Sequence, residues 1–410
     1  MWTLWLGCTG PVPVSSVAED GPTWADVAPD LVGCVGCHDR AGLAFPLTTW
    51  REAAPQADRV ASAVTAHRMP PWPAGPADLT YLDDPSLDPT AIGRLTTWAA
   101  AGAPLGDADP DAALVPERVS HLPEVDATLR MEAPYEPLGD EHRCFVLERS
   151  ALVERYVTGV EITPSNLAVA HHLLLTAIVP DDPANDPLTA DALDPGPGFD
   201  CSVITLAAFP GQTKVLGGWL PGRGAAVFPD AAGIDVPPEA QIVLESHYFA
   251  AAPSGADQTT VALSTAASVR APAGEIKVTH PDWGLHLGVA APAGEVVTQK
   301  MKTTVEHEAG TVIDASGGLV AYWVLPHMHA YGVAISLEVV RDGEHTVLVD
   351  IPAWDYDWQL TYWFTDPFLL LPDDELRLSC TFDNPTATDV WWGESTDDEM
   401  CVARLFVAPP

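Results

Sequence analysis

Apolar and polar residues alternate with two different periods along the chain. Over residues 23–106 the apolar positions fall at helical spacing. Val60 and Val64 share one face before Pro70 and Pro71 stop the run, and Ile92, Leu95 and Trp98 repeat at every third residue. Asp88 followed by Pro89 is an N-cap and first-turn pair, and Gly102 followed by Pro104 ends that helix. Residues 107–122 are rich in Asp, Ala, Pro and Glu and read as a linker. From residue 123 onward short stretches such as 241–249 and 334–340 alternate or run apolar between turn residues, as strands do. Arg341-Asp342-Gly343-Glu344 lies between two such runs and reads as a hairpin turn. The expected fold class is therefore mainly β: two antiparallel sandwich domains, 123–275 and 276–410, preceded by a small all-α domain over 23–106 and a leader over 1–22.

Composition agrees with several cores rather than one. The chain has 410 residues, 47% of them hydrophobic, which exceeds what a single ordinary domain holds. The 40 prolines and 31 glycines favour short strands and many turns. With 19 basic against 57 acidic side chains the formal net charge is −38. Such a chain repels nucleic acid and anionic lipid, and the acidity reads as a solubility device. No apolar run reaches the ~18 residues of a transmembrane helix. The start, MWTLWLGC, looks like the end of an export signal, and Gly7-Cys8 resembles a lipoprotein cleavage site that would make Cys8 a lipid anchor. Trp5 stands where that pattern has a small aliphatic residue. An exported protein, periplasmic or extracellular, is the expectation.

Cys34-Val35-Gly36-Cys37-His38 carries the first chemical signal. Two thiols one helical turn apart can add to the vinyl groups of a haem, and the adjacent His38 can supply an axial nitrogen. A redox dithiol or half a zinc site would leave His38 unexplained, and no second cysteine pair lies nearby. One covalent haem c is expected. The rest of this segment resembles a small cytochrome c domain. Met69-Pro70-Pro71-Trp72 has the form that such domains place at the second axial position, and the helix over 88–101 matches their C-terminal helix. The resemblance makes Met69 the distal ligand, with His67 as its competitor.

The second signal comes from histidines in the β-rich region. His171-His172 sits in an apolar stretch, where two imidazoles are costly unless they bind something. His247 sits in VLESHYF, and His327-Met328-His329 puts two imidazoles at i and i+2, on one face of a strand. Met400 follows an acidic loop. Singly these are ordinary core or surface residues. Together they form one set of three imidazoles and one of two imidazoles with a thioether, a combination that suits two copper ions rather than zinc.

In order and context these elements resemble the copper type II, ascorbate-dependent monooxygenases, the family of peptidylglycine α-hydroxylating monooxygenase and dopamine β-monooxygenase. The matching pieces are His-His-Leu-Leu at 171, Ser-His-Tyr at 246, His-Met-His with Ala-Tyr-Gly at 327 and Asp-Glu-Met-Cys at 398, spread over about two thirds of the chain. The resemblance implies that His171, His172 and His247 hold an electron-transfer copper, and that His327, His329 and Met400 hold the copper where O2 is used. It implies two jelly-roll-like sandwiches facing each other across a water-filled gap. It also implies a bridge between Cys380 and Cys401, which leaves Cys144 and Cys201 as a pair by elimination. Adjacent strand residues point to opposite faces, so His171 and His172 can share an ion only across a bulge or local twist.

The chain departs from the peptide-modifying members. Leu325 stands where they carry a carboxylate-binding arginine two residues before His-x-His, and Arg404 falls near the place of an expected aromatic hydroxyl. Arg404 reads either as an anion binder or as a surface or paired arginine. The function expected is hydroxylation of an activated C–H bond of an unidentified small organic substrate with O2, with electrons relayed through the haem from a donor protein or reductant. Two other readings are a non-catalytic haem and copper electron-transfer protein, and an adhesion or structural sandwich in which only the haem works.

Overall fold

The computed structural model describes residues 21–39, 44–82, 84–115, 120–180, 186–201, 213–229, 232–249, 255–279, 282, 287–310, 313–356, 358–393 and 398–410. The proposed leader and Cys8 therefore lie outside the described residues, apart from 21 and 22. Helices α1 (Trp24–Leu31), α2 (Trp50–Ala53), α3 (Ala57–Thr65) and α4 (Pro89–Ala100) come first, with a 3-10 turn at Cys34–Gly36. Trp24, Val27 and Leu31 from α1 pack on Val60 and Val64 from α3 and on Leu95 and Trp98 from α4, so this helical part has a core of its own. The Asp88 carboxylate accepts the N–H groups of Thr90 and Ala91 at 2.7 and 2.9 Å, the cap its position suggested. Two short helices, α5 (Pro187–Leu193) and α6 (Val305–Ala309), occur later.

Strands make up the rest. The first ten are β1 (Ala127–Arg130), β2 (Asp140–Leu147), β3 (Tyr156–Thr163), β4 (Ala170–Ile178), β5 (Phe199–Asp200), β6 (Thr213–Trp219), β7 (Ala226–Val227), β8 (Ala232–Asp235), β9 (Gln241–Phe249) and β10 (Thr260–Ala266). They are followed by β11 (Ala271–Thr279), β12 (Val289–Ala291), β13 (Val296–Thr304), β14 (Leu319–His327), β15 (Gly332–Arg341), β16 (Glu344–Ile351), β17 (Tyr362–Leu370), β18 (Glu375–Asp383), β19 (Val390–Trp391) and β20 (Val402–Ala408). The chain is mainly β, as expected. One large sheet runs β1-β10-β3-β8-β11-β20-β14-β17. A second sheet, β5-β2-β9-β4-β6, shares a core with its first half through residues such as Leu129, Val160, Leu175 and Leu244. A third, β13-β18-β15-β16, shares one with its second half through Val324, Leu337, Leu378 and Leu405. β15 turns into β16 through Asp342 and Gly343, both at positive φ (53° and 86°), the hairpin that the sequence suggested.

Two expectations need correction. The strands are not all antiparallel: Ala271–Ala273 of β11 pairs in parallel with Ala232–Ile234 of β8, which the crossover through β9 and β10 permits. The anticipated boundary after residue 275 also falls inside β11, because Gly274–Thr279 goes on to pair with β20. The two sandwiches thus share one sheet. Nor does the segment 107–122 hang free where it is described. The Leu114 amide donates to Thr48 at 2.7 Å, Arg51 pairs with Asp111, and Leu122 is held by Glu161 of β3.

The helical part is strapped to the β region by residues 72–82. The amide of Gly75 donates to Asp350 at 2.7 Å, that of Leu82 to Trp363 at 2.8 Å, and that of Thr365 back to Thr80 at 2.9 Å. Trp72 packs edge-on against Tyr362. Cys144–Cys201 and Cys380–Cys401 form disulfides, in keeping with an oxidising compartment. Among the described residues no helix is long and apolar enough to cross a membrane.

Candidate metal centres and the adjoining cavity

β4 carries His171 and His172 at its start, and the mostly apolar residues 173–178 that follow anchor the strand between β9 and β6. Its pairing with β9 slips between Ala170 and His172, so His171 is the extra residue of a bulge. The slip turns both imidazoles toward His247 of β9. Their Nδ1 atoms form a triangle: His171 to His247 at 3.1 Å, His171 to His172 at 3.3 Å and His172 to His247 at 3.4 Å. Each neutral imidazole has one N–H, so three mutually facing nitrogens cannot all be satisfied by one another. Three imidazole ligands about 2 Å from one ion in tetrahedral directions stand about 3.3 Å apart, which these spacings match. Burial pushes His172 well below its ordinary pKa and lowers His247 as well, keeping lone pairs available. The outer nitrogen of His247 faces an Asp140 oxygen at 2.7 Å, an arrangement that fixes ring orientation. His142 of β2, opposite His247 in register, stacks on it at 4.2 Å and is held by Glu245.

The second cluster grows from the end of β14. Met328 is buried in the core of the C-terminal sandwich, so its neighbours His327 and His329 turn the other way, ring centroids 5.1 Å apart. His327 Nε2 lies 3.2 Å from Met400 Sδ. Its Nδ1–H donates to the Gln359 amide oxygen at 2.5 Å, and His329 Nδ1–H donates to the Asp398 carbonyl at 3.0 Å. In both rings Nε2 is therefore the lone-pair nitrogen. Burial, with His329 next in importance, pushes His327 down to about 3. The buried Glu399 carboxylate accepts the backbone N–H groups of Tyr331 at 2.6 Å, His329 at 3.0 Å and Met400 at 3.2 Å, tying the two arms of the cluster together. Burial nonetheless pushes its carboxyl up to about 7. The Cys380–Cys401 bridge anchors the residue after Met400.

A cavity of about 1360 Å³ lies where the helical part meets the loop 352–358. It is larger than the ~1000 Å³ of an ordinary small-ligand pocket. His38, His67 and Met69 all line it, with Phe45, Arg59 and Trp358. His38 Nδ1–H donates to the Phe45 carbonyl at 2.9 Å, which leaves Nε2 as the lone-pair nitrogen. Cys34 and Cys37 are thiols that burial pushes up to about 11, and Cys37 reaches the Pro221 carbonyl.

The loop 352–359 links all three places. Trp354 Nε1 donates to the His329 carbonyl at 3.3 Å, Tyr356 packs toward His329, and Trp358 lies 5.7 Å from His171 by ring centroids. Sequence reasoning missed this loop together with His142, Asp140 and Gln359. Asp398 and Glu399 stood within a motif it had singled out, beside Met400. Arg404 pairs at 3.2 Å with the largely buried Glu275 of β11, and its cross-strand register partners are Lys277 of β11 and Leu325 of β14. Of its two readings, the paired arginine is the one observed.

Residues 287–407 match the model of the copper type II ascorbate-dependent monooxygenase C-terminal domain. That stretch contains His327, His329, Met400 and the Cys380–Cys401 bridge, and the match supports a copper-dependent monooxygenase family. No curated protein matches the chain. Among solved structures, the major capsid protein P2 of bacteriophage PM2 is similar at 10% identity over 69% of this chain and 97% of that one, with a TM-score of 0.28. The VP2 subviral particle of infectious bursal disease virus is similar at 12% identity over 71% and 74%, with a TM-score of 0.19. Likenesses this weak bear on neither the fold nor the chemistry.

Proposed function

We propose that this protein is a monooxygenase that hydroxylates an activated C–H bond of a small organic substrate with O2, using two copper ions and one haem c. The observation that carries the reading is the approach of His327 Nε2 to Met400 Sδ within the segment that matches the family's C-terminal domain. A thioether beside two neutral imidazoles favours Cu(I) over zinc. His327, His329 and Met400 would hold the copper that supplies O2 chemistry, and His171, His172 and His247 the one that supplies the second electron. Gln359, Asp398 and Glu399 fix the donor atoms of the first set, and Asp140 steadies His247. Leu325 in place of a carboxylate-binding arginine, and Arg404 engaged with Glu275, argue against a peptide C-terminus as substrate.

The helical part reads as a cytochrome c-like domain. Cys34 and Cys37 would carry the haem by thioether bonds, His38 would bind iron through Nε2, and Met69 would complete the axial pair. Two of the four donors support this reading: His38 and Met69 line one cavity whose volume would accommodate a planar macrocycle, and Phe45 already sets the tautomer of His38, whereas Cys34 and Cys37 lie beside that cavity's lining rather than in it. His67 lines the same cavity and stays the alternative to Met69. A bound haem would supply one-electron storage between a donor protein and the three-imidazole copper.

Metal analysis of the copper-reconstituted protein tests this. The expected result is about two coppers per haem iron, together with O2 uptake that needs an added C–H substrate. Haem without tightly held copper would overturn the monooxygenase reading. Copper and haem without substrate-dependent uptake would make the chain an electron-transfer protein.

A further inference from the structure

We infer that Trp358 is the electron bridge between the haem cavity and the three-imidazole cluster. The inference rests on the haem and copper assignments proposed above, and goes beyond them by naming the route. Trp358 lines the cavity that His38 and Met69 also line, and its indole lies against the imidazole of His171, centroids 5.7 Å apart and planes at 54°. One aromatic side chain thus spans the wall between the two places. The strap over 72–82 and the pinned ends of the segment 107–122 hold the helical part against this wall, so the contact needs no docking motion.

The chain continues from Trp358 straight into Gln359, whose amide oxygen accepts from His327 at 2.5 Å. The loop therefore touches the cavity and both clusters, but the contacts differ in kind. Trp358 meets His171 ring against ring, with a delocalised π system on each side, whereas His327 is reached through a saturated amide side chain. The ring-to-ring contact assigns the three-imidazole cluster as the first acceptor. With both groups bound, one electron would leave the ferrous haem, giving ferric haem, and would reduce a Cu(II) held by His171, His172 and His247 to Cu(I). No proton moves, and no other reactant is needed.

The test follows haem absorbance after the ferrous, copper-free protein is mixed with Cu(II) under argon. Wild type should show a fast phase of haem oxidation that His172→Ala lacks, which identifies it as passage through the three-imidazole cluster. Trp358→Leu should lose this phase and Trp358→Phe should keep it. Both variants should retain copper content, the copper EPR spectrum and the haem midpoint potential, none of which an electron bridge sets. A Trp358→Leu protein that keeps the fast phase overturns the bridge while leaving the relay intact. A wild-type protein without any cluster-dependent phase overturns the relay itself. Loss of the phase in Trp358→Leu accompanied by a changed EPR spectrum or potential makes Trp358 a structural support, which also overturns the bridge.

Discussion

The three-imidazole cluster grows from the body of a sheet, whereas the histidine–methionine cluster grows from strand ends and a loop. His171 and His172 are fixed by the slip of β4 against β9, and His247 by the register of β9 with β2 on its other side. Strand pairing flanks His247 on both sides, by β2 and β4, and holds His171 and His172 from the β9 side. In the other cluster only His327 belongs to a strand, at its last residue. His329 and Met400 depend on the Glu399 carboxylate, the Cys380–Cys401 bridge and the loop 352–359. On the roles proposed above, a set of donors that only passes an electron would gain from rigidity. One that must admit O2 and substrate would gain from a surround that is built of side chains and can be varied.

This comparison can be broken or sharpened by experiment. The largest effect expected is loss of an ion. His172→Ala and His329→Ala should each lower copper from about two to about one per chain by metal analysis, each leaving the other site filled. If one substitution empties both sites, the clusters are not separately built.

The disulfides should separate stability from metal binding. Replacing Cys144 and Cys201 by alanine opens a loop of sequence separation 57, and replacing Cys380 and Cys401 opens one of 21. Loop-closure entropy makes the first loss about 4 kcal/mol and the second about 3 kcal/mol in urea unfolding. Copper retention should follow the opposite order. Only the Cys380/Cys401 pair should weaken the Met400 site, because Cys401 is its chain neighbour.

The smallest effects should come from the groups that orient ligands. Gln359→Leu should lower copper affinity at the His327 site by about 100-fold, and Asp140→Asn should lower it at the His247 site by about 10-fold, read by chelator competition. Asp140 is expected to matter less because its side chain is 65% exposed and β9 holds His247 without it.

How much of this was legible in the sequence depended on the range of the signal. The resemblance implied that two adjacent strand residues share an ion, which needs a bulge or a local twist at His171-His172, and the pairing slips there. Helical spacing and caps gave α4 within a residue of its observed ends, and Asp342-Gly343 gave the β15–β16 turn. The parallel pairing of β8 with β11 left no local trace, since register between distant strands is set by packing and not by either strand's own pattern. His142 looked like any polar residue at the start of a strand until β2 brought it opposite His247. Pro70 and Pro71 were legible as the end of a helix, but not the strap that follows, because its hydrogen bonds go to partners about 270 residues away, as in the Val347–Asp78 contact.

The passage of one sheet through both sandwiches has a mechanical consequence. β11 hands its hydrogen bonds from β8 to β20 within a single strand, so there is no linker at the junction about which the halves could turn. Relative movement would have to shear paired backbone, and each ladder rung broken in the interior exposes groups that are costly to leave unpaired. His171, His172 and His247 stand on the sheet packed over one half of this shared sheet and His327 ends a strand of the shared sheet itself, so the spacing between the two clusters rests on packed strands on both sides. The shared sheet acts as a common chassis that keeps the two sandwiches, and with them the two histidine clusters, at fixed gauge, with only loops and side chains free to answer a ligand.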